Sequence, residues 1–150
     1  MKALQLFIIF SVSLTACTSN TNTAQIFATD EGAIQGYDAV AYFTQSQPVK
    51  GSKEFSFTHA DQTWYFASAE NLEVFKSNPE KYAPQFGGYC AYGMSRGYKA
   101  KTEPDAWTIV NGKLYLNYNT DVRNIWNEKQ SEFIDKASAN WPTVKDSKFE

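Results

Sequence analysis

Residues 64–94 read WYFASAENLEVFKSNPEKYAPQFGGYCAYGM, a stretch that contains a strand end, a short helix, a turn and a Gly-Gly run. Ser68 predicts the N-cap of the helix, because its hydroxyl can accept hydrogen bonds from N–H groups of the first turn. Asn78-Pro79 predicts a second helical turn, with proline in its preferred first position. Gly87-Gly88 then allows backbone conformations that other residues avoid, and it leads directly to Cys90. The stretch therefore predicts a strand, two helical turns and a thiol in a bent segment.

One β-hairpin is predicted at the start of this stretch and another after it. Phe55 and Phe57 alternate with polar residues, and the alternation resumes at Trp64 after the four residues 59–62. This pattern is typical of two antiparallel strands joined by a turn. Asn111-Gly112 separates two further apolar runs. It is the strongest short hairpin signal, because both turn positions need positive φ.

Helical periodicity marks the C-terminal part of the chain. A final helix, capped by Asn119 or Thr120, is predicted to collect apolar side chains on one face: Val122, Trp126, Phe133 and Ala137. Together the elements predict a single small α+β domain over 31–142. It would consist of two β-hairpins or a small antiparallel sheet, covered by short helices and the C-terminal helix. A polar tail is expected over 143–150.

The N-terminus has the features of a secretory signal. Lys2 precedes an apolar run that ends at Ala16, and this run is too short for a spanning helix. Residues 14–17, Leu-Thr-Ala-Cys, resemble the lipobox of bacterial lipoproteins. That resemblance implies a signal peptide over 1–16 and a lipid anchor of diacylglycerol and palmitate on Cys17, followed by a flexible tether to residue 30. The alternative is an ordinary cleaved signal with a chance cysteine.

The lipobox resemblance also implies a location. A lipoprotein of this kind is extracytoplasmic and is attached to a bacterial membrane through its lipid. Thr18 is not the aspartate that commonly marks inner-membrane retention in Gram-negative lipoproteins. The periplasmic face of the outer membrane is therefore expected if the host is Gram-negative.

Charge and cysteine count narrow the possible partners. Removal of the signal takes away Lys2 and changes the formal net charge from −2 to −3. Nucleic acid is excluded as a partner on this basis, because no basic stripe is present to neutralise phosphates. If Cys17 carries lipid, Cys90 has no intrachain partner, so a lone thiol in an oxidising compartment needs a reason.

Cys90 and Met94 form the first candidate site. If the segment after Gly88 is helical, the two side chains lie on one face, where a thiolate and a thioether could share a soft ion such as Cu(I). Tyr89 and Tyr92 would supply aromatic walls. The alternative is that Cys90 is a small buried apolar residue and that Met94 fills the core beside it.

Three further segments hold candidate residues. His59 is the only histidine; it could bind metal, but its place at a hairpin tip favours a solvated turn. Tyr37 and Tyr42 are expected to line a ligand pocket near Cys90. Asp38, also a pocket candidate, is interpreted chiefly as a turn or helix cap, with a turn and half-strand over residues 40–43.

The segments GYDAVAYF, residues 36–43, and GGYCAYG, residues 87–93, resemble the YHS-domain family, in particular its lipoprotein and periplasmic members. The similarity covers residues 36–141, and WYFAS at 64–68 and FKSNPEKY at 75–82 are its most specific parts. It implies the family's fold and, from the small YHS domains of copper-pumping ATPases, an association with metal.

The chain departs from the pattern of the metal-associated members at each thiol. Val40-Ala41-Tyr42-Phe43 stands where those members have Val-Cys-Gly-Met. Ala67 and Asn71 stand where their later cysteines lie. Because soft metals need thiolate, thioether or imidazole donors, these positions cannot bind copper or zinc.

Two functions follow from the sequence. The first is a lipid-anchored YHS-type binding protein that holds copper or a small ligand near Cys90. The alternative is a structural or partner-binding lipoprotein with no metal and an inert, buried Cys90. An enzyme is not expected: a cysteine nucleophile needs an imidazole base, and the sequence contains no recognisable hydrolase triad or phosphate-binding loop.

Overall fold

The computed structural model describes residues 25–149. Its described elements give the α+β fold class that the sequence predicts, with antiparallel hairpins and a set of helices. The predicted signal peptide and the lipidated Cys17 lie outside the described residues. Within the described part, no helix combines the length and the apolar character needed to cross a bilayer.

The strands form three separate antiparallel pairs among the described residues. These are β1 (Ala28–Thr29) with β2 (Gly32–Ala33), β3 (Ser52–His59) with β4 (Gln62–Phe66), and β5 (Trp107–Val110) with β6 (Lys113–Leu116). Both predicted hairpins are confirmed. The first turn is shorter than expected, because His59 pairs with Gln62 and leaves only Ala60 and Asp61 between the strands, both at positive φ.

The helices follow the predicted start signals closely. They are α1 (Ala41–Thr44), α2 (Ala69–Ser77), α3 (Pro79–Tyr82), α4 (Ala91–Ser95), α5 (Thr120–Glu128) and α6 (Gln130–Val144). Ser68 Oγ accepts from the Asn71 N–H at 3.1 Å, and Asn119 Oδ1 accepts from the Val122 N–H at 2.9 Å. Side-chain capping by these residues is therefore confirmed.

Two local predictions are wrong. The half-strand predicted over 40–43 is α1, because Asp38 Oδ1 accepts from the N–H groups of Val40 and Ala41 and turns the chain into a helix. The final helix is divided at Lys129, whose backbone leaves the helical region at φ −141° and ψ 47°. Trp126 before the break and Phe133 after it are both buried, so the predicted apolar face persists across the two helices.

The domain extends further at both ends than the predicted boundaries of 31 and 142. Phe27 is buried, and β1 begins at Ala28, within the predicted tether. At the other end α6 continues to Val144, and the ring of Phe149 meets that of Phe27 edge to face at 6.0 Å. The two ends are held in the fold because aromatic side chains from each bury the other.

Strand β6 divides the interior into two clusters. The first cluster consists of Ala33, Ile34, Ala39, Val40, Tyr42, Trp64, Phe66, Phe75, Leu114 and Leu116. The second cluster consists of Phe27, Phe86, Tyr89, Ala91, Met94, Tyr115, Trp126, Phe133 and Ala137. Leu114 and Leu116 thus face one cluster and Tyr115 the other, as the alternation of side chains along a strand requires. The candidate site lies on the side of the second cluster.

Candidate ligand pocket

Cys90 follows a sharply bent segment of backbone, residues 86–88. Phe86, Gly87 and Gly88 all have positive φ, at 54°, 62° and 82°. A Cβ at Gly87 would lie 1.7 Å from the carbonyl oxygen of Gln25, so this close approach of two chain segments requires glycine. The Cys90 N–H then donates to the carbonyl of Ala100 at 3.0 Å, which fixes the segment against the loop after α4.

Cys90 is the N-cap residue of α4 and is only 2% exposed. Its Sγ accepts from the Gly93 N–H at 3.4 Å, and its thiol faces Asn117 Oδ1 at 3.7 Å. Burial raises the pKa of the thiol, and the backbone N–H groups of Gly93, Tyr118 and Tyr92 offset this only in part. The thiol is therefore protonated at neutral pH, whereas both nucleophilic attack and metal ligation need the thiolate.

The side chain of Asn117, just after β6, contacts the segment that contains Cys90 and Tyr92. Its side chain is fully buried, and its Oδ1 accepts from the Tyr92 N–H at 3.1 Å as well as facing the Cys90 thiol. The backbone contact to Tyr92 fixes which end of the amide is the oxygen. The Nδ2 group is left without a hydrogen-bond partner among the described residues.

An open pocket of about 290 Å³ lies against Cys90. Its lining is Cys90, Tyr92, Tyr98, Ala100, Tyr118 and Val122. Tyr98 is 52% exposed and Tyr118 is 40% exposed, which makes them two of the three exposed large hydrophobic side chains in the described part of the chain. The third, Ile125, lies one turn beyond Val122 on α5. Aromatic surface that a soluble domain normally buries is thus collected around one cavity.

Of the predicted metal ligands, Cys90 and Met94 lie on the side of the second cluster, whereas His59 lies beside the first. Met94 follows Cys90 by one helical turn, its N–H donating to the Cys90 carbonyl at 2.8 Å, but its side chain is fully buried in the second cluster. His59 ends β3 at the predicted hairpin turn and is half-buried. Its ring lies 5.8 Å from the ring of Phe75, which belongs to the first cluster.

The residues present do not fit a closed soft-metal site. No three His, Cys, Asp or Glu side chains of residues 25–149 are grouped so that they could hold a metal ion. Cys90 and the buried Met94 would supply at most one sulfur donor each. Copper would need additional or better-exposed ligands than this pocket supplies.

The other predicted pocket residues are placed elsewhere, except for Tyr92. Tyr37 packs at the edge of the first cluster, with Lys50 Nζ 4.9 Å above its ring. Tyr42 lies inside that cluster, and its hydroxyl donates to the carbonyl of Pro104 at 3.1 Å. Tyr89 is buried in the second cluster, where its ring meets that of Phe149 at 5.2 Å.

Asp38 acts as the cap that the sequence favours. Its carboxylate is fully buried and accepts four hydrogen bonds. Oδ1 accepts from the N–H groups of Val40 and Ala41, at 2.8 and 3.2 Å. Oδ2 accepts from the Ala67 N–H at 2.8 Å and from Asn71 Nδ2 at 2.7 Å.

Sequence reasoning missed the residues that complete the pocket. Tyr98 and Val122 lie in different segments that only the tertiary fold brings together. Tyr118 and Asn117 directly follow β6, and a polar Asn after the apolar run Leu114–Leu116 is the one signal that could have pointed to the site. Buried polar residues that interrupt such runs need partners and often mark special positions.

A second cavity, of about 300 Å³, lies between the turn of the β5–β6 hairpin and the start of α6. Val110, Lys113, Ile134 and Asp135 are among its lining residues. It contains none of the three tyrosines that line the Cys90 pocket. It therefore offers an internal reference for experiments on that pocket.

No protein-family model, no curated protein and no solved structure matches this chain. The functional argument therefore depends on the chain's own residues and on the geometry of the pocket.

Proposed function

We propose that this chain is a lipid-anchored, extracytoplasmic binding module of the YHS type, which holds a small, largely apolar ligand in the pocket beside Cys90. The observation that carries the proposal is the convergence of Tyr92, Tyr98 and Tyr118 on one open cavity. A concave, mainly apolar surface with a few polar groups is the usual form of a small-molecule site.

The exposure of the tyrosines supports a ligand rather than core packing. Tyr98 and Tyr118 keep roughly half of their surface in contact with solvent, although each has an apolar ring. Covering them with a planar molecule would remove apolar area from water at a gain of about 25 cal/mol per Å². Aromatic stacking would add to this, since offset and edge-to-face contacts contribute about 0.5–1.5 kcal/mol each.

The chemistry of Cys90 supports binding rather than catalysis. Its protonated thiol is a small, polarisable surface at the base of the pocket. The only histidine, His59, packs beside Phe75 of the first cluster and so gives no sign of acting as a base for this thiol. The copper alternative needs ligands that the pocket does not bring together, so a small organic ligand is the better-supported occupant.

A filled-pocket variant tests the proposal. The full chain in uncharged detergent micelles would be titrated with 2-naphthamide, a neutral two-ring probe, with empty micelles as the blank. Val122→Trp places an indole in the cavity and should abolish binding. Ile125→Trp puts the same residue one turn further along α5, outside the lining, and should leave the dissociation constant unchanged. Absence of binding of both this probe and its acid, 2-naphthoate, to the unsubstituted chain would favour the structural lipoprotein instead.

The anchor is tested separately, because it concerns residues outside the described part of the chain. Cells that express the chain would be fed radiolabelled palmitate, and the label on the protein would be measured. The unsubstituted chain should be labelled and recovered with membranes. Cys17→Ser should lose the label, whereas Cys90→Ser should keep it. Equal labelling of the two variants would contradict lipidation at Cys17.

A further inference from the structure

Two basic side chains stand over the tyrosines that line the Cys90 pocket. The Lys101 Nζ lies 5.5 Å from the ring centroid of Tyr118. The guanidinium carbon of Arg96 lies 5.0 Å from the ring centroid of Tyr92, and an Arg96 NH2 group donates to the Tyr92 hydroxyl at 2.9 Å. The pocket therefore has a positive charge beside two of its three aromatic walls.

Neither cation has a carboxylate partner at contact distance. Among residues 25–149, the ion pairs closer than 4 Å involve Lys50, Lys76, Lys136 and Lys145. Arg96 does act at longer range on Glu132, helping to lower its pKa, but the partner in contact with Glu132 is Lys136. Lys101 is exposed and adjoins Ala100 of the lining.

The neighbouring Lys99 is engaged in a different way. Its Nζ donates to the carbonyls of Lys145 and Ser147, both at 2.8 Å, and so ties the C-terminal segment to the domain. Lys99 therefore has a structural role through close hydrogen bonds to backbone carbonyls. Lys101 has no such contact in the described structure beyond the ring of Tyr118, which leaves its ammonium free to meet a ligand.

We propose that the ligand of this pocket is a planar ring compound that carries an anionic group, with the ring against Tyr98 and Tyr118 and the anion at Lys101. This inference rests on the proposed ligand-binding function and specifies the class of ligand. A charge-assisted hydrogen bond from an ammonium to a carboxylate is about twice as strong as a neutral one. Stacking alone would not distinguish an acid from its amide.

The test compares two probes that share one ring system. 2-Naphthoate carries a carboxylate, and 2-naphthamide is its neutral counterpart of nearly the same size. With the full chain in uncharged micelles, naphthoate should bind up to about fivefold more tightly than naphthamide, the upper range for an ion pair to a solvent-exposed lysine. The preference should shrink as sodium chloride is raised from 0.05 to 0.5 M, because the lysine is exposed to solvent.

Two charge-removing variants make the test specific. Lys101→Met keeps an unbranched side chain over Tyr118 and should weaken naphthoate binding by up to about fivefold while leaving naphthamide unchanged. Lys113→Met removes the same charge at the second cavity and should affect neither probe. Equal affinity for the two probes, or equal loss of both in Lys101→Met, would overturn the anionic-ligand inference while the binding function stands. If neither probe binds, the proposed function itself fails.

Discussion

Each half of the domain contains a buried polar side chain that joins several segments, and the two differ in how completely they are satisfied. Asp38, beside the first cluster, accepts four hydrogen bonds from three segments of the chain. Asn117, beside the second cluster, accepts from Tyr92 and faces the Cys90 thiol, while its Nδ2 has no partner in residues 25–149. Both side chains are fully buried.

Under the proposed function, the difference assigns stability to the first region and ligand binding to the second. A buried polar group with all its hydrogen bonds made fixes a unique local structure, and a ligand could only disturb it. A buried group that is left partly unsatisfied carries a cost, and stored strain, a functional role or an ordered water or ion are the usual reasons for one. In the first region, every hydrogen bond of the Asp38 carboxylate is made within the protein. In the second region, Asn117 contacts Cys90 and Tyr92, which line the open pocket.

The largest expected effect is the loss of Asp38. In Asp38→Ala three backbone N–H groups and one amide lose their acceptor inside the protein, so the free energy of unfolding should fall by about 3–5 kcal/mol. Urea denaturation followed by tryptophan fluorescence measures this. Asp135→Ala, at an exposed position of α6, is the matched control and should change stability by less than about 0.5 kcal/mol. If Asp38→Ala changed stability as little as Asp135→Ala, the proposed difference between the two regions would be wrong.

The next effect concerns the Cys90 thiol. Because it is buried and its pKa is raised, alkylation by iodoacetamide at pH 8 should be roughly a hundredfold slower in the folded chain than in urea. Mass spectrometry of the Cys90 peptide follows the reaction. Tight binding of 2-naphthamide should slow it further, since the probe covers the pocket. A thiol that reacts as fast in the folded chain as in urea would contradict the burial on which the comparison depends.

A smaller effect is expected at Asn117. Asn117→Ala removes one hydrogen bond from the Tyr92 N–H and one weak thiol contact, and it also removes an unpaired amide group. The net loss in free energy of unfolding should be about 1–2 kcal/mol, well below that of Asp38→Ala. The same urea assay sharpens the comparison directly. If Asn117→Ala proves as destabilising as Asp38→Ala, the two side chains have the same structural role.

The smallest effect is a loss of stability in alkali. Burial raises the pKa of Tyr89 from 10.0 to about 12, so above pH 10 the unfolded chain loses this proton before the folded chain does. The stability that this group contributes is fully present below pH 10 and is lost progressively between pH 10 and pH 12; the loss is less than about 1 kcal/mol at pH 10.5. Tyr89→Phe should reduce the pH dependence of the melting temperature in this range, leaving the part due to Tyr42 and Tyr115, whose pKa values burial also raises.

Local signals in the sequence predicted much of the fold. Ser68 and Asn119 capped the helices as expected, and Asn111-Gly112 formed the turn between β5 and β6, because each signal acts through its nearest neighbours. The prediction failed at residues 40–43, where Asp38 converts a strand-like apolar run into a helix. It also failed at Lys129, where the helix is interrupted although no proline or glycine is present to indicate it.

The pocket was predictable only in part. Cys90 and Tyr92 were identified because they lie in one short segment. Tyr98, Tyr118 and Val122 were not, since their convergence depends on how the loop after α4, the end of β6 and α5 meet in space. Conversely, the sequence predicted Tyr37 and Tyr42 as pocket residues, but their rings pack in or against the first cluster.

The most direct test of the central claim is to locate a bound probe. Intermolecular nuclear Overhauser effects would be recorded between 2-naphthamide and the isotope-labelled full chain in deuterated, uncharged micelles. The pocket beside Cys90 predicts contacts from the naphthalene protons to the Val122 methyl groups and to the rings of Tyr98 and Tyr118. Contacts to Val110 and Ile134 of the second cavity instead, or none at all, would contradict it.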